Sequence, residues 1–287
     1  MAKCKRCGKW GLFLKLDFLG RCEKCQKEVA EEQRKERQRK KDAFLAEFNA
    51  LPRAEIRRDG VKQKAQPVSF LKELTYPRVT TKSNPAKFAD FVVLDTETTG
   101  LSCTKDAVLE VAAIKVKDYK FVEVFHTMIT PPPQKLETDS AREAMSVNGI
   151  TPEMLEGAPT LYQIIPSLQD FIGDMPLLGH NLQFDLKFLC RAGLDVTPDK
   201  RRFYDTYELA GHLLKKPKWS YNSENGGYGP NYNQNYDVPD YKLETLCAHF
   251  WIDRMDAHRA LGDCIDTAKV FRYLLEKKID TTADFDS

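Results

Sequence analysis

An α/β fold is predicted for the larger part of this 287-residue chain, and three observations carry the prediction. Apolar runs of strand length begin at Phe91, Ala107 and Phe121, and Pro131 to Pro133 then close what reads as an antiparallel meander. Two short strands, at 176–181 and 202–206, lead straight into helical stretches. A last helix, 257–278, repeats Leu261, Cys264, Ile265, Ala268, Phe271, Leu274 and Leu275 at steps of three and four, as a core-facing stripe does.

At the N-terminus, the pairs Cys4-x-x-Cys7 and Cys22-x-x-Cys25 are separated by fourteen residues. Two thiolate pairs on short turns can converge on one tetrahedral ion, so residues 1–28 read as a zinc-ribbon-like module with one structural Zn²⁺ on Cys4, Cys7, Cys22 and Cys25. Two disulfides are the alternative, disfavoured by the missing export signal. Residues 29–51, rich in helix formers and alternating charge, read as a charged helix. Residues 52–87 mix five Gly and Pro with Lys and Arg and read as a basic linker, with 70–74 as the best candidate for a docked piece.

The main domain is placed at 88–280. Between its first and last strands lie expected helices at 140–148 and 160–172, and a helix carrying Phe184, Leu186, Phe188 and Leu189. Asp205 or Thr206 reads as the cap of the helix that ends near Leu214. The Asn-, Tyr- and Gly-rich stretch 215–241 reads as a flexible insertion whose Trp219, Tyr221, Tyr228, Tyr232 and Tyr236 can stack on bases. A further helix covers 241–250.

Charge is uneven. Residues 1–89 hold 23 Lys and Arg against 11 acids, whereas 90–287 hold 21 against 31. A basic arm on an acidic domain suits contact with nucleic acid. The first residues lack the apolar stretch of a signal peptide and no run approaches a membrane span, so a cytoplasmic protein of bacterial type, with no membrane partner, is expected.

Chemistry gathers at element ends. Asp95 and Glu97 close the first strand two residues apart, hence on one face, where like charges call for a cation or a shared proton; a hard divalent metal is the simplest relief. Asp185 follows in His180-Asn181-Leu-Gln-Phe184-Asp185, and His258 with Asp263 in His258-x4-Asp263. Were both on the last helix, about 7.5 Å of rise would separate this His and Asp, so they could flank an ion without sharing a face. Glu110 is kept out of the metal set, because one acid in an otherwise apolar strand can simply bond a neighbour. His126, His212 and His249 fit no motif.

Asp95-x-Glu97-Thr98-Thr99-Gly100-Leu101, His180-Asn181-x-x-Phe184-Asp185 and His258-x4-Asp263, in this order, resemble the motifs of the DnaQ-like, DEDDh-type 3′→5′ exonucleases, which include the proofreading (epsilon) subunit of bacterial DNA polymerase III. The resemblance covers about residues 90–277. It implies a ribonuclease H-like fold, a mixed sheet flanked by helices, with Asp95, Glu97, Asp185 and Asp263 holding two Mg²⁺ or Mn²⁺ and His258 as general base. Thr98, Leu101, Asn181 and Phe184 would hold the terminal nucleotide of a single-stranded or 3′-end DNA or RNA. It leaves room for a polymerase or other replication or repair protein as a partner through the N-terminal region. An RNA-trimming exoribonuclease and a non-catalytic nucleic-acid-binding module are the competing readings.

Overall fold

A computed structural model describes residues 2–11, 14–58, 60, 64–66, 68–196, 201–222, 227–232 and 235–278, with backbone only at 70, 73, 221, 222, 227 and 228. The side chains of Tyr221 and Tyr228, and the last two residues of the domain expected at 88–280, lie outside the described residues. The chain divides into two compact units, Met1–Leu51 and Pro52–Ser287.

In the first unit a short antiparallel pair, β1 (Ala2–Lys3) and β2 (Trp10–Gly11), precedes α1 (Glu23–Asn49). The helix begins six residues ahead of the expected 29, inside the second cysteine pair: Cys22 is its N-cap in extended conformation and Cys25 lies in its first turn. The Cys module and the charged helix therefore share residues 23–28. Little of α1 is buried apart from Cys25 and Phe48. Ion pairs at i,i+4, such as Glu23 with Lys27 and Glu31 with Lys35, support its solvated face.

The second unit is built on a five-stranded mixed sheet in the order β5-β4-β3-β6-β7. Its strands are β3 (Phe91–Thr98), β4 (Val108–Lys117), β5 (Lys120–Met128), β6 (Leu177–Gly179) and β7 (Phe203–Asp205). β3, β4 and β5 form the antiparallel meander, and β6 and β7 continue it in parallel. The parallel strands are three residues long because each is buried and ends where a helix must start. The helices are α2 (Asp139–Asn148), α3 (Pro152–Leu155), α4 (Leu161–Ile172), α5 (Leu182–Arg191), α6 (Thr206–Leu213), α7 (Leu243–His249) and α8 (Ala260–Lys278). This is the mixed, ribonuclease H-like sheet flanked by helices that the motifs imply. No helix among the described residues is long and apolar enough to cross a membrane.

β3 is central, and its period of two sorts the site. Val92 and Leu94 join the core with Ile164, Leu168, Leu186 and Leu189 of α4 and α5. Phe91 on the other face meets Phe271 of α8 edge-on at 5.4 Å, and the Cys264 thiol of α8 lies 3.8 Å from the Val93 carbonyl.

Residues 52–87 are not a linker. Leu71 is fully buried in the core, with Ala54, Ile56, Val68, Leu74 and Tyr76 packed against it. Backbone bonds fix the path: Ala54 N–H donates to the Val124 carbonyl at 2.8 Å and Gln66 N–H to that of Cys190 at 2.8 Å. Leu71 docks from a short 3-10 turn, Ser69–Glu73, where the sequence offers 70–74 as a docked piece, and the single apolar residues around it show no helical or strand period. In 215–241 the described part includes an antiparallel pair, β8 (Trp219–Asn222) and β9 (Gly227–Pro230), where irregular chain is expected.

Candidate active site and cysteine cluster

Asp95 and Glu97 follow Phe91 and Val93 on the α8 side of β3, and α8 brings Asp263 to them. Carboxylate oxygens of Asp95, Glu97 and Asp263 all lie within 4.8 Å of one another. Thr96 faces the other way and anchors Asp185 of α5: its N–H and hydroxyl donate to Asp185 Oδ1 at 2.9 and 2.7 Å. Four acids from three elements thus meet at one strand end.

Their electrostatics follow from crowding. Burial, then the neighbouring carboxylates of Asp185, Asp263 and Glu97, push the Asp95 carboxyl far up. Burial and the charges of Asp263 and Glu110 raise Glu97 to about 7. Burial raises Asp185 to about 7 despite the bonds from Thr96. Asp263 is raised by burial, against the pull of Arg254 and His258.

His258 departs from the expected helix. The last helix begins at Ala260, and His258 precedes it, exposed, with φ 61 in the left-handed region. Gly262 is why the chain turns so closely here: a Cβ on it would stand 2.3 Å from the Asp256 carbonyl oxygen. Asn181, exposed at the N-cap of α5, is also left-handed, at φ 62. Thr98 is buried and its hydroxyl donates to the Gly100 carbonyl at 2.7 Å. Leu101 is 88% exposed, and Phe184 is half-buried, 5.3 Å from Phe188.

Four residues at the site escaped the sequence reading of its chemistry. Glu110 pairs with Glu97 across β3 and β4, where like charges repel. It is fully buried and accepts from His126 at 2.6 Å, from Arg259 at 2.9 and 3.0 Å and from the Ala260 N–H at 3.1 Å. Burial alone would raise its carboxyl; these donors outweigh it and hold the group at about 2. Glu110 therefore ties down the start of α8, next to His258. Arg254 pairs with Asp263, and with Asp266 at 3.1 Å. Asn148 Nδ2 reaches Glu97 Oε2 at 3.4 Å. Asp205 caps α6 through the Tyr207 N–H, and also accepts the N–H groups of Asn181 and Leu182 at 3.0 and 2.8 Å, locking the turn before Asp185. Of these Asp205 carried a signal as a cap and Glu110 as an acid able to bond a neighbour, which is how the structure uses it.

In the first unit the sulfurs of Cys4, Cys7, Cys22 and Cys25 lie within 4.8 Å of one another. Backbone amides of Cys7 and Cys22 pull the Cys4 thiol down to about 6, whereas burial and the other sulfurs push Cys25 up to about 12. All eight cysteines are free thiols.

The exonuclease family profile matches residues 92–271. A DNA polymerase III of PolC type from Caldanaerobacter subterraneus subsp. tengcongensis is 31% identical over 70% of this chain and 13% of its own length. The same kind of protein from Thermotoga maritima is 32% identical over 72% of this chain and 14% of its own. This chain thus spans about one seventh of the curated relatives it matches. E. coli exonuclease I, solved with a dT13 oligonucleotide, superposes with a TM-score of 0.50 at 18% identity, over 66% of this chain and 41% of that one, a likeness of fold.

Proposed function

We propose that this chain, which belongs to the DnaQ-like 3′→5′ exonuclease family matched over residues 92–271, removes nucleotides one at a time from the 3′ end of single-stranded DNA. The observation that carries the reading is the convergence of Asp95, Glu97 and Asp263 within 4.8 Å, with Asp185 anchored alongside. Glu97 and Asp185 held at about 7 and Asp95 pushed up, by burial first and then by neighbouring acids, are a set whose charging a cation favours, so the residues fit divalent metal. Asp95, Glu97, Asp185 and Asp263 would hold two Mg²⁺ or Mn²⁺, which neutralise phosphate charge and stabilise the leaving oxygen. DNA is the substrate class because the relatives are DNA polymerases and the structural neighbour was solved with a DNA oligonucleotide.

An imidazole nitrogen of exposed His258 takes a proton from the attacking water. The water oxygen bonds to the last phosphorus, the bond from that phosphorus to the penultimate 3′ oxygen breaks, and this oxygen takes up a proton. A nucleoside 5′-monophosphate leaves. Glu110 and Arg259 position the turn that carries His258. Leu101 and Phe184 offer apolar surface to the terminal base, and Thr98 and Asn181 border its sugar.

The four cysteines take one structural zinc, with module and charged helix forming an N-terminal unit apart from the nuclease unit. A replicative polymerase is the partner class that the relatives suggest, and a cytoplasmic location accords with it. The test uses an oligodeoxynucleotide labelled on its 3′ nucleotide, with Mg²⁺ or Mn²⁺. Labelled monomer is released by the wild type, and at least a thousandfold more slowly by Asp95→Ala; equal rates would reject the catalytic claim.

A further inference from the structure

The tip of the cysteine module is built unlike a part that only holds a metal. Phe18 is 92% exposed, Trp10 60% and Leu19 48%. None of the three helps to fill the small core of the module, which is made of Cys4, Cys22 and Cys25 with Leu14 and Leu16.

The tip is nonetheless rigid. Asp17 Oδ1 accepts from the N–H groups of Leu19 and Arg21 at 3.1 and 2.8 Å, and Asp17 Oδ2 accepts from Arg21 Nε at 2.8 Å. Gly20 N–H closes the turn on the Asp17 carbonyl at 2.9 Å, and Lys5 N–H donates to the Gly20 carbonyl at 2.8 Å, so the two cysteine knuckles abut. Lys3 Nζ lies over the Trp10 ring at 5.2 Å. The backbone that carries Phe18 is therefore fixed by hydrogen bonds, so the turn has little freedom left to lose on binding.

Charge completes the surface. Residues 2–25 carry seven Lys and Arg against two acids, Asp17 and Glu23. Both acids are already engaged, Asp17 by Arg21 and Glu23 by Lys27. Lys5, Lys9 and Lys15 make no ion pair among the described residues. Exposed rings interleaved with free lysines match a strand whose bases offer π-faces and whose phosphates alternate with them. A duplex, with its bases stacked inside, would present no face to Phe18.

We infer that Phe18 and Trp10 form a stacking platform for single-stranded DNA, with Lys5, Lys9 and Lys15 on its phosphates. This rests on the nuclease reading above, which supplies the substrate class. The platform would hold the strand while the nuclease unit shortens it, giving long substrates an advantage that short ones lack.

The test compares the full chain with Phe18→Ala, Trp10→Ala and the double variant. Zinc content and thermal melting verify that each has folded. Binding of fluorescent dT30 without divalent cation is followed by anisotropy at several salt concentrations, and hydrolysis of a pentanucleotide is followed with Mg²⁺. Each single change is expected to weaken dT30 binding about tenfold, with pentanucleotide hydrolysis unchanged. Lys5→Gln and Lys9→Gln should each lower the salt slope by about 0.7. Unchanged dT30 affinity in the double variant, beside an active wild type, overturns the platform and leaves the nuclease reading intact. Binding of rU30 as tightly as dT30 overturns the choice of DNA. A wild type that hydrolyses nothing sinks the nuclease reading itself, whatever dT30 does.

Discussion

Glu110 shows how much of a catalytic centre is decided by residues that do no chemistry. It lies opposite Glu97, and the two acids coexist because Arg259, His126 and the α8 backbone neutralise one of them. Its carboxyl lies at about 2, against an ordinary 4.5. The folded value is depressed, so its stabilisation is present above pH 4.5 and is lost as pH falls towards 2. At roughly 1.4 kcal/mol per unit this amounts to about 3 kcal/mol. Glu110→Gln should lose about that much at pH 7, measured by urea unfolding, and should flatten the acid limb of the stability profile. A variant as stable as wild type at pH 7 would refute this account. In the sequence Glu110 is one acid in an apolar strand, and its partners lie 16 and 149 residues away. Asp95, Glu97, Asp185, His258 and Asp263 could be picked out as candidates because each falls in a short local motif, and of these the carboxylates of Asp95, Glu97 and Asp263 converge. Arg254 and Asn148 could not, because Arg254 meets Asp263 and Asp266 through an irregular turn before α8 and Asn148 meets Glu97 only once α2 has docked on β3.

Among the elements, the meander, both strand-to-helix junctions and the stripe of α8 could be read from period alone. The segment after Pro52 could not, since an irregular strap with short 3-10 turns buries single residues with no repeat. Its docking changes how the protein should be cut: removing residues 1–89 would strip Leu71 from the core, whereas removing 1–51 ends at the unit boundary. Leu71→Ala should cost about 3 kcal/mol of unfolding free energy. Less than about 1 kcal/mol in urea titration would mean that the strap is not part of the core. Deletion of 1–51 should leave the melting of the second unit within about 2 °C and the rate on a pentanucleotide unchanged. A collapse of either would show that the units are not separable. The start of α8 was also misjudged, because His258 looks like helix until Gly262 and the Asp256 carbonyl are seen to force the turn.

For the whole molecule, the acidic cluster sets how stability responds to pH and metal together. Glu97 and Asp185 lie at about 7 and Asp95 and Asp263 are raised, so these folded-state values exceed the unfolded ones. Such groups stabilise most below about pH 4, and the contribution of Glu97 and Asp185 is lost as pH rises through 7. Without divalent ions the second unit should melt several degrees lower at pH 8 than at pH 5.5. Mn²⁺ should restore it at pH 8 and do much less at pH 5.5. Calorimetry checks both; an equal Mn²⁺ effect at the two values would exclude the cluster as the site.

The acids of that cluster come from β3, α5 and α8, the last contributed by a helix that begins at residue 260. During translation the acids of β3 and α5 emerge long before Asp263, and a chain that ends before residue 258 lacks both His258 and Asp263. On the proposed mechanism such a chain hydrolyses no DNA end while it is being made. On the same mechanism a truncated product is inert as well, and the order of synthesis acts as a safety catch that needs no inhibitor.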